Sequence, residues 1–278
     1  MANELIVEIR DHVMTVTINR PEARNAMDMP VLAGLCRAWT RLRDDPDVWV
    51  AILTGAGDKA FCSGGDLKQF ISQTVGKTEQ LRRGEVQFDW GPDVDPTGLP
   101  PNATTFAVLR NVELWKPIIG AVNGFCTAGG LEMLQNTDIR IASENATFGI
   151  FEPKWGLFPG GGSTANLVRQ IPFARAMELL ITGRLMRADE ALRCGLVSTV
   201  VPLARLLDEA RALAADICAC GPLAVQAIKR SVYRGMRTTL AEHYDIEAEL
   251  SSEIFMTEDA AEGLAAFREK RKPVWKLR

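Results

Sequence analysis

Residues 117–132 read Pro-Ile-Ile-Gly-Ala-Val-Asn-Gly-Phe-Cys-Thr-Ala-Gly-Gly-Leu-Glu, a short apolar run followed by glycine turns. The run Pro117–Val122 predicts a buried strand, the residues from Gly129 predict a helix, and Asp138–Ala142 predicts the next strand. The same unit occurs earlier in the chain, where Val48–Leu53 is continuously apolar, as in strands that are covered on both faces. Repeated strand-then-helix units predict an α/β fold.

The two ends of the chain differ in their predicted structure. Leu5–Arg10 and Val13–Asn19 predict two strands around a turn, and a helix follows with Val31, Leu35 and Leu42 on one face. From Leu203 onwards only helices are predicted, with a break at Gly221-Pro222. Their predicted bounds are Leu203–Cys218, Leu223–Tyr233, Thr239–Phe255 and Asp259–Lys270. We therefore expect a core in residues 1–202 and a helical region for packing or assembly in residues 203–278.

The segment from Gln73 to Thr105 is polar and irregular, with turn formers such as Gly91-Pro92, Asp95-Pro96 and Leu99-Pro-Pro-Asn102. So long a stretch without periodicity inside a compact domain is either a functional lid or a disordered segment. The sequence leaves both readings of residues 74–105 open.

The composition of the chain limits the kinds of molecule that it is expected to bind. The chain has 278 residues, 24% of them charged, and a formal net charge of −3, which gives no reason to expect nucleic acid or an anionic membrane as a partner. No run of about 18 apolar residues is present, and the start of the chain lacks the features of a signal peptide. Six scattered cysteines and two distant histidines predict buried, reduced thiols and no metal site. We expect a cytoplasmic protein.

Two stretches resemble nucleotide-binding motifs, but the residues around them do not fit such motifs. Gly55-Ala-Gly-Asp-Lys-Ala60 fits a dinucleotide-binding turn, but Phe61-Cys-Ser-Gly-Gly follows it where a helix should run. Gly76-Lys-Thr78 resembles the end of a P-loop, but Ile71 stands where its first glycine belongs.

The G-x-S-x-G motif of serine hydrolases is also absent from the sequence. Ser163 in Gly160-Gly-Gly-Ser-Thr is predicted to cap a helix that ends near Ile171.

Two glycine turns and two glutamates carry the chemistry. Gly64-Gly65 and Gly129-Gly130 each precede a predicted helix, so their unpaired N–H groups suit an anionic oxygen. Glu132 and Glu152 each follow a glycine-containing turn, and carboxylates of this kind can move protons. Together these groups indicate acid/base chemistry on a carbonyl compound.

Five motifs resemble the crotonase (enoyl-CoA hydratase/isomerase) superfamily in order and spacing, and the resemblance covers the chain outside about residues 74–105. They are Ala60-Phe-Cys-Ser-Gly-Gly-Asp-Leu-Lys68, Lys116-Pro-Ile-Ile-Gly-Ala-Val-Asn-Gly124, Ala128-Gly-Gly-Leu-Glu132, Phe148-Gly-Ile-Phe-Glu152 and Gly156-Leu-Phe-Pro-Gly-Gly-Gly162. The resemblance implies a spiral of ββα units with a C-terminal helical region that serves trimerisation, in homotrimers or hexamers. It also implies an oxyanion hole formed by the backbone N–H groups of Gly65 and Gly129.

The activity implied by the resemblance is hydration of a 2-enoyl-CoA, because Glu132 and Glu152 match both glutamates of the family's hydratases. Glu132 would deprotonate the water and Glu152 would protonate the α carbon. Alternatives are an enoyl-CoA isomerase, a carnitinyl-CoA dehydratase-like enzyme, or a non-catalytic member that binds acyl-CoA or RNA. The acidic balance and the lack of a basic stripe argue against RNA.

The resemblance also assigns the contacts to coenzyme A, which is part of the substrate, so that no separate cofactor is expected. The residues that match these positions are Arg24, Lys59, Ser63, Asp66 and Leu67. Two features depart from the family pattern. Gly65 replaces a frequent alanine, which should be harmless because the donor is the backbone, and the segment from Gln73 to Thr105 is unusually long. Since this region shapes the acyl pocket in the family, an unusual acyl group is expected.

Overall fold

The computed structural model describes residues 4–278, so the part of the signal-peptide prediction that falls on residues 1–3 lies outside the described residues. The strands are β1 Leu5–Arg10, β2 Val13–Ile18, β3 Val50–Gly55, β4 Ala60–Cys62, β5 Ile118–Val122, β6 Phe125–Thr127, β7 Ile139–Ser143, β8 Thr147–Gly149, β9 Met186–Arg187 and β10 Thr199–Val201. The α-helices are α1 Met29–Asp44, α2 Ser72–Thr74, α3 Thr78–Arg83, α4 Ala103–Ala107, α5 Gly129–Gln135, α6 Ser163–Gln170, α7 Phe173–Thr182, α8 Ala188–Arg193, α9 Leu206–Ala219, α10 Pro222–Gly235, α11 Leu240–Phe255 and α12 Glu258–Glu269. Short 3₁₀ or π turns occupy Pro21–Ala23, Leu67–Ile71, Glu152–Trp155 and Leu203–Arg205.

A six-stranded sheet in the order β1-β2-β3-β5-β7-β10 forms the larger layer. β1 and β2 are antiparallel and join through Asp11 and His12, whose φ angles of 49° and 66° suit a tight two-residue turn between twisted strands. The other neighbours pair in parallel. All six residues of β3 are buried, which confirms the sequence prediction of a strand covered on both faces.

A four-stranded sheet in the order β4-β6-β8-β9 forms the smaller layer. Successive strands alternate between the layers, because β3, β5 and β7 join the large sheet while β4, β6 and β8 join the small one. The chain therefore winds through three ββ units, and the predicted α/β class is confirmed. β4, β6 and β8 have three residues each, too few for a hydrophobic period to be recognised in the sequence.

The long segment at residues 74–105 packs against α1 rather than standing away from the core. Its final residues lead into α4, and the indole N–H of Trp39 donates to the carbonyl oxygen of Ala107 at 2.9 Å. Arg37 holds the carbonyl oxygen of Asp95 at 2.6 Å. Phe88 and Trp90 pack against the main hydrophobic cluster. The disordered reading is thus not supported, and a role as a lid stays a prediction.

The helical region at the end of the chain divides into two parts. α9 belongs to the core, because Leu206, Ala210 and Ala214 pack on the large sheet against Val50 and Ile119. The boundary predicted at residue 203 therefore falls inside packed structure. α10–α12 follow α9, and a mostly buried ion pair on α10 attaches them to the core.

Lys229 on α10 fastens the outer helices to the sheet. Its ammonium group lies 2.7 Å from Oδ2 of Asp138 and also donates to the carbonyl oxygen of Lys116 at 3.0 Å. The hydroxyl of Tyr233 donates to the other oxygen of Asp138 at 3.1 Å. Because a carboxylate buried with satisfied partners fixes geometry, this contact defines how α10 sits on the core.

Within the described chain, no single helix is long and apolar enough to cross a membrane. One pair, Leu203–Ala219 with Pro222–Gly235, meets the length and composition together but is bent by 103°. No group of three or more His, Cys, Asp or Glu side chains in residues 4–278 could hold a metal ion. Cys36, Cys62 and Cys126 are buried as predicted, whereas Cys220 is exposed.

Candidate active site

Three strand ends of the small sheet meet at one edge and carry the candidate site. β4 leads into Gly64-Gly65, β6 leads into Ala128-Gly129, and β8 leads to Glu152. Because β4, β6 and β8 are parallel, their carboxyl ends lie side by side. Ligands of α/β sheets commonly bind outside such carboxyl ends. Residues far apart in sequence are therefore brought together by the ββ alternation.

The amide nitrogens of Gly65 and Gly129 lie close together. A Cβ atom on Gly64, whose φ is +104°, would lie 3.1 Å from the nitrogen of Gly129, and a Cβ on Gly129 would lie 3.5 Å from the nitrogen of Gly65. Neither amide donates to a protein acceptor within the described residues. Two neighbouring free N–H groups can bind a negatively charged oxygen.

The surrounding backbone fixes these two amides. Met27 N–H donates to the carbonyl oxygen of Gly64 at 2.8 Å, and Asp66 N–H donates to the carbonyl oxygen of Met27 at 2.8 Å. Ala128 has a φ of 51°, an uncommon value for a residue with a side chain. Since the helices that follow have only five and seven residues, amide placement rather than a long helix dipole supplies the positive potential.

Glu132 lies in α5 and is only 5% exposed. Ser163 N–H donates to its Oε1 at 3.3 Å, and the amides of Gly161 and Gly162 also stabilise the carboxylate. Burial raises the pKa of Glu132 above its usual value, while the three amides and the Arg110 guanidinium oppose that rise. The carboxylate form thus has dedicated donors.

Gly161 makes room for this carboxylate. A Cβ atom at position 161 would lie 2.4 Å from Oε2 of Glu132 and 2.7 Å from its Cδ. Contacts below 3.0 Å are not tolerated, so a side chain here would displace the carboxyl group. The backbone of the Gly160–Ser163 turn is therefore in direct contact with Glu132.

The prediction that Ser163 caps α6 is wrong. Gly162, with a φ of +120°, is the cap residue, and no side chain caps this helix. The Ser163 hydroxyl instead accepts a hydrogen bond from Nε2 of Gln135 at 2.8 Å, one helical turn beyond Glu132. Sequence reasoning missed the roles of Gly161, Ser163 and Gln135, although the Gly160-Gly-Gly turn that signals them was visible.

Glu152 begins the 3₁₀ turn that follows β8. Its Oε2 is buried and has no hydrogen-bonding partner among the described residues. Burial raises the pKa of Glu152 to about 7, and repulsion from the Glu132 carboxylate adds to the rise. The amides of Glu152 itself and of Phe151 oppose this rise without offsetting it, so Glu152 keeps its proton to a higher pH than an ordinary glutamate and the two glutamates are unequal.

Stability should reveal the proton held by Glu152. Its folded-state pKa lies above the usual 4.5, so its contribution to stability is complete below pH 4.5 and is lost as the pH rises through about 7. At pH 8–9 we expect Glu152→Gln to have a free energy of unfolding larger than that of the parent by on the order of 2–3 kcal/mol. Its melting temperature should be correspondingly higher. Thermal unfolding between pH 5 and 9 measures this difference, and a constant difference across that range would contradict it.

The residues predicted to contact coenzyme A lie around the Gly64-Gly65 turn. Arg24 and Lys59 are exposed, and the Arg24 guanidinium lies 5.6 Å from the centre of the Phe125 ring. Ser63 N–H donates to the carbonyl oxygen of Arg24 at 3.1 Å, and the carbonyl oxygen of Lys59 accepts from Phe125 N–H at 2.9 Å. The structure thus brings Arg24, Lys59 and Ser63 together at the start of β6.

Asp66 and Leu67 complete the turn in different ways. Leu67 is 58% exposed, open to a ligand. The Asp66 side chain is occupied, because it accepts from the amides of Lys68 and Gln69 at 3.0 and 3.1 Å and pairs with Arg20 at 3.3 Å. Its backbone is occupied as well, because Asp66 N–H donates to Met27 and its carbonyl oxygen accepts from Phe70 and Ile71, so Asp66 shapes the turn and offers no free polar group to a ligand.

Comparisons with known proteins agree over nearly the whole chain. The model of the enoyl-CoA hydratase/isomerase family matches residues 8–91 and 103–278. Enoyl-CoA hydratase EchA19 of Mycobacterium tuberculosis is 44% identical over 97% of this chain and 95% of that protein. The (E)-benzylidenesuccinyl-CoA hydratase of Thauera aromatica is 41% identical over 97% of this chain and 98% of that protein. A crystal structure of an enoyl-CoA hydratase from Mycobacterium tuberculosis superposes with a TM-score of 0.83 at 37% identity, covering 99% of both chains.

Proposed function

This chain belongs to the enoyl-CoA hydratase/isomerase family, and we propose that it is an enoyl-CoA hydratase, which adds water reversibly to a 2-enoyl-CoA thioester. One observation carries the proposal. Two largely buried carboxyl groups of unequal proton affinity, Glu132 and Glu152, lie at the strand edge that also carries a pair of free backbone amides. Hydration needs a base for water and an acid for carbon, and this site offers one of each.

We assign the steps of the reaction to these groups. The thioester oxygen accepts hydrogen bonds from the amides of Gly65 and Gly129, which stabilise the charge that develops on it. Glu132 takes a proton from water as the oxygen of that water bonds to the β carbon. Glu152 gives its proton to the α carbon, which yields a 3-hydroxyacyl-CoA. In the reverse direction Glu152 removes the α proton and Glu132 protonates the departing hydroxyl group.

Substrate placement follows from the remaining residues of the site. Arg24 and Lys59 are exposed cations beside the Ser63–Leu67 turn, which suits the phosphates and adenine of coenzyme A. No separate cofactor takes part in the proposed steps, because Glu132 takes the proton that water loses and Glu152 supplies the proton that the α carbon gains. Transfer of a proton from Glu132 to Glu152 after product release restores both groups.

We also propose that α10–α12 mediate assembly into a homotrimer or hexamer. These helices and the residues that end them expose large apolar side chains that a monomer would leave in water, among them Ile228, Met236, Leu240, Tyr244, Phe255, Met256 and Phe267. Light scattering after size exclusion measures the assembly, and a stable monomer would contradict this part of the proposal.

A panel of 2-enoyl-CoA thioesters that differ in chain length and branching tests the activity. Formation of 3-hydroxyacyl-CoA in ¹⁸O-labelled water, followed by mass spectrometry, should show one heavy oxygen per product. Incubating 3-enoyl-CoA in deuterated water examines the alternative, because an isomerase would form deuterated 2-enoyl-CoA without added oxygen. Turnover of 3-enoyl-CoA alone would favour isomerisation, and acyl-CoA binding without turnover would favour a non-catalytic member.

Position 65 allows a test of the oxyanion donors. An alanine Cβ would lie 2.8 Å from a ring carbon of Phe70 and 3.0 Å from Cδ1 of Ile71, so both side chains would have to shift. We expect Gly65→Ala to lower the melting temperature, since overpacking costs about 1–3 kcal/mol. The rate should fall by much less than the about 10²–10³-fold that loss of an oxyanion donor causes, because the amide remains.

Phe70→Leu in the Gly65→Ala background provides the control. If crowding is the cause, removing ring atoms should restore the melting temperature. A rate loss of 10²-fold or more in Gly65→Ala, unrelieved by Phe70→Leu, would instead mean that the substitution moves the amide itself.

A further inference from the structure

Arg110 contacts the backbone turn that holds Glu132. Its Nη1 donates to the carbonyl oxygen of Gly160, and it forms no ion pair within residues 4–278. The side chain reaches across fifty positions of sequence, from the loop after α4 to the start of the Gly160–Ser163 turn. Arg110 is thus an exposed arginine that forms no ion pair and binds one carbonyl oxygen near the active site. The proposed reaction steps give this side chain no role.

The bonded carbonyl stands at the start of the turn that stabilises the carboxylate. The amides of Gly161, Gly162 and Ser163 follow Gly160 directly and face Glu132. Gly161 packs so closely against the carboxyl group that no side chain fits between them. A shift of the Gly160 carbonyl would therefore turn these amides away from Glu132.

The backbone around Arg110 is held in an unusual conformation. Leu109 and Asn111, its two neighbours, have φ angles of 61° and 56°. Leucine rarely adopts this left-handed conformation, because its Cβ crowds the following carbonyl. The conformation is kept by burial of the Leu109 side chain and by the Leu109 and Arg110 N–H groups, which donate to Phe106 and Thr105 at 2.9 Å. Strained conformations fixed in this way concentrate at functional sites.

We propose that Arg110 is a positioning residue for the water-activating carboxylate of Glu132, which it holds through the Gly160 carbonyl and the amides that follow it. The inference rests on the proposed hydratase function, in which Glu132 must be ionised and aimed at water. Arg110 does not touch the reacting atoms. It acts by fixing the turn and by placing a positive charge near the carboxylate.

The groups that face Glu132 determine the expected pH effect. They are Glu152 from the turn after β8, Arg110 from the loop after α4, and the three amides at the start of α6. Burial disfavours the carboxylate form of Glu132, whereas the amides and Arg110 favour it, and Glu152 is still protonated and neutral in the pH range where Glu132 ionises. Removing Arg110 should therefore make Glu132 harder to ionise. Because Arg110 is exposed and its charge is screened, most of the effect should come from loosening the amides.

The test compares Arg110→Met, Arg110→Lys and Arg169→Met. Methionine keeps an unbranched apolar stem but removes the donor and the charge, and lysine keeps a charge and a donor. Arg169 is the matched control, because it is also an exposed arginine bonded to a backbone carbonyl, that of Ala165 in its own helix. We expect Arg110→Met to lower kcat about tenfold, the scale of one charge-assisted hydrogen bond, with KM nearly unchanged. Arg110→Lys should recover most of the rate, and Arg169→Met should match the parent.

Two further readouts separate positioning from general folding. The acidic limb of the kcat–pH profile should move to higher pH in Arg110→Met. Difference infrared titration in a Glu152→Gln background should show the Glu132 carboxylate band appearing at higher pH when Arg110 is replaced. An unmoved limb and an unmoved band would overturn the proposal, even if activity fell. If the parent hydrates no enoyl-CoA, the infrared titration still decides whether Arg110 controls Glu132.

Discussion

Replacing either Glu132 or Glu152 by glutamine is expected to lower kcat for enoyl-CoA hydration by about 10²–10⁴-fold. Glutamine keeps the size of the side chain but can neither take the proton of water at position 132 nor supply one to carbon at position 152. Acyl-CoA affinity should change little, because the amides of Gly65 and Gly129 are untouched. Steady-state kinetics and calorimetric titration with a saturated acyl-CoA measure the two effects separately.

Glu144→Gln serves as the matched control, because Glu144 is an exposed glutamate in the turn between β7 and β8. It should match the parent in rate. Unchanged hydration in both Glu132→Gln and Glu152→Gln would refute the mechanism. A loss in only one of them would favour a single-base reaction such as isomerisation.

The pH dependence of the rate should identify which carboxyl group is the acid. Hydration requires protonated Glu152, whose pKa is raised to about 7, so the rate should fall as the pH rises through that region. In Glu132→Gln the alkaline limb of the residual activity should move to lower pH. The reason is that repulsion from the Glu132 carboxylate no longer helps to hold the proton on Glu152. The measured limbs belong to the coupled pair, which is why the variant is needed for assignment.

Gly161→Ala is expected to lower kcat by about 10²-fold, the loss that a misplaced catalytic group can cause. An alanine Cβ would lie 2.4 Å from Oε2 of Glu132, so either the carboxyl group or the turn must move. Both movements separate Glu132 from the amides that stabilise its ionised form. Steady-state kinetics and the melting temperature of the variant measure this.

Gly160→Ala is the matched control at the adjacent position. Its Cβ would meet nothing closer than the carbonyl oxygen of Phe158, 4.0 Å away. We expect it to retain activity and the Gly160 carbonyl bond to Arg110. Equal losses in both variants would show that flexibility of the turn matters rather than contact with Glu132. Full activity in Gly161→Ala would show that Glu132 is not used where the structure places it.

Much of the fold could be predicted from local patterns. β3 and β5 are apolar runs with turns on either side, and helical spacing on α1 gave its buried face. The fold class and the family followed because glycine turns and glutamates at fixed spacing are local features of sequence. The short strands β4, β6 and β8 could not be predicted by periodicity, since three residues contain no complete pattern.

Other errors arose because distant packing overrode local preference. Ser163 is a good helix-capping residue, but its hydroxyl is used by Gln135, and a glycine takes the cap. α9 looks like part of a helical appendage, but its small residues let it lie flat on the large sheet. Residues 74–105 lack periodicity because their order comes from contacts with α1 rather than from a repeating face.

The sequence by itself determined which chemical groups are available: two carboxylates, two glycine turns, and a strand–helix pattern that requires an α/β fold. Only the tertiary structure decided how they are placed relative to one another. Parallel pairing of β4, β6 and β8 brings the groups to one edge, and three amides at the start of α6 make Glu132 the better carboxylate. At Glu152, burial and repulsion from Glu132 outweigh the amides of Glu152 and Phe151 and raise the pKa to about 7. The physical reason is that proton affinity depends on the surroundings of a group in space, which spacing along a chain does not specify.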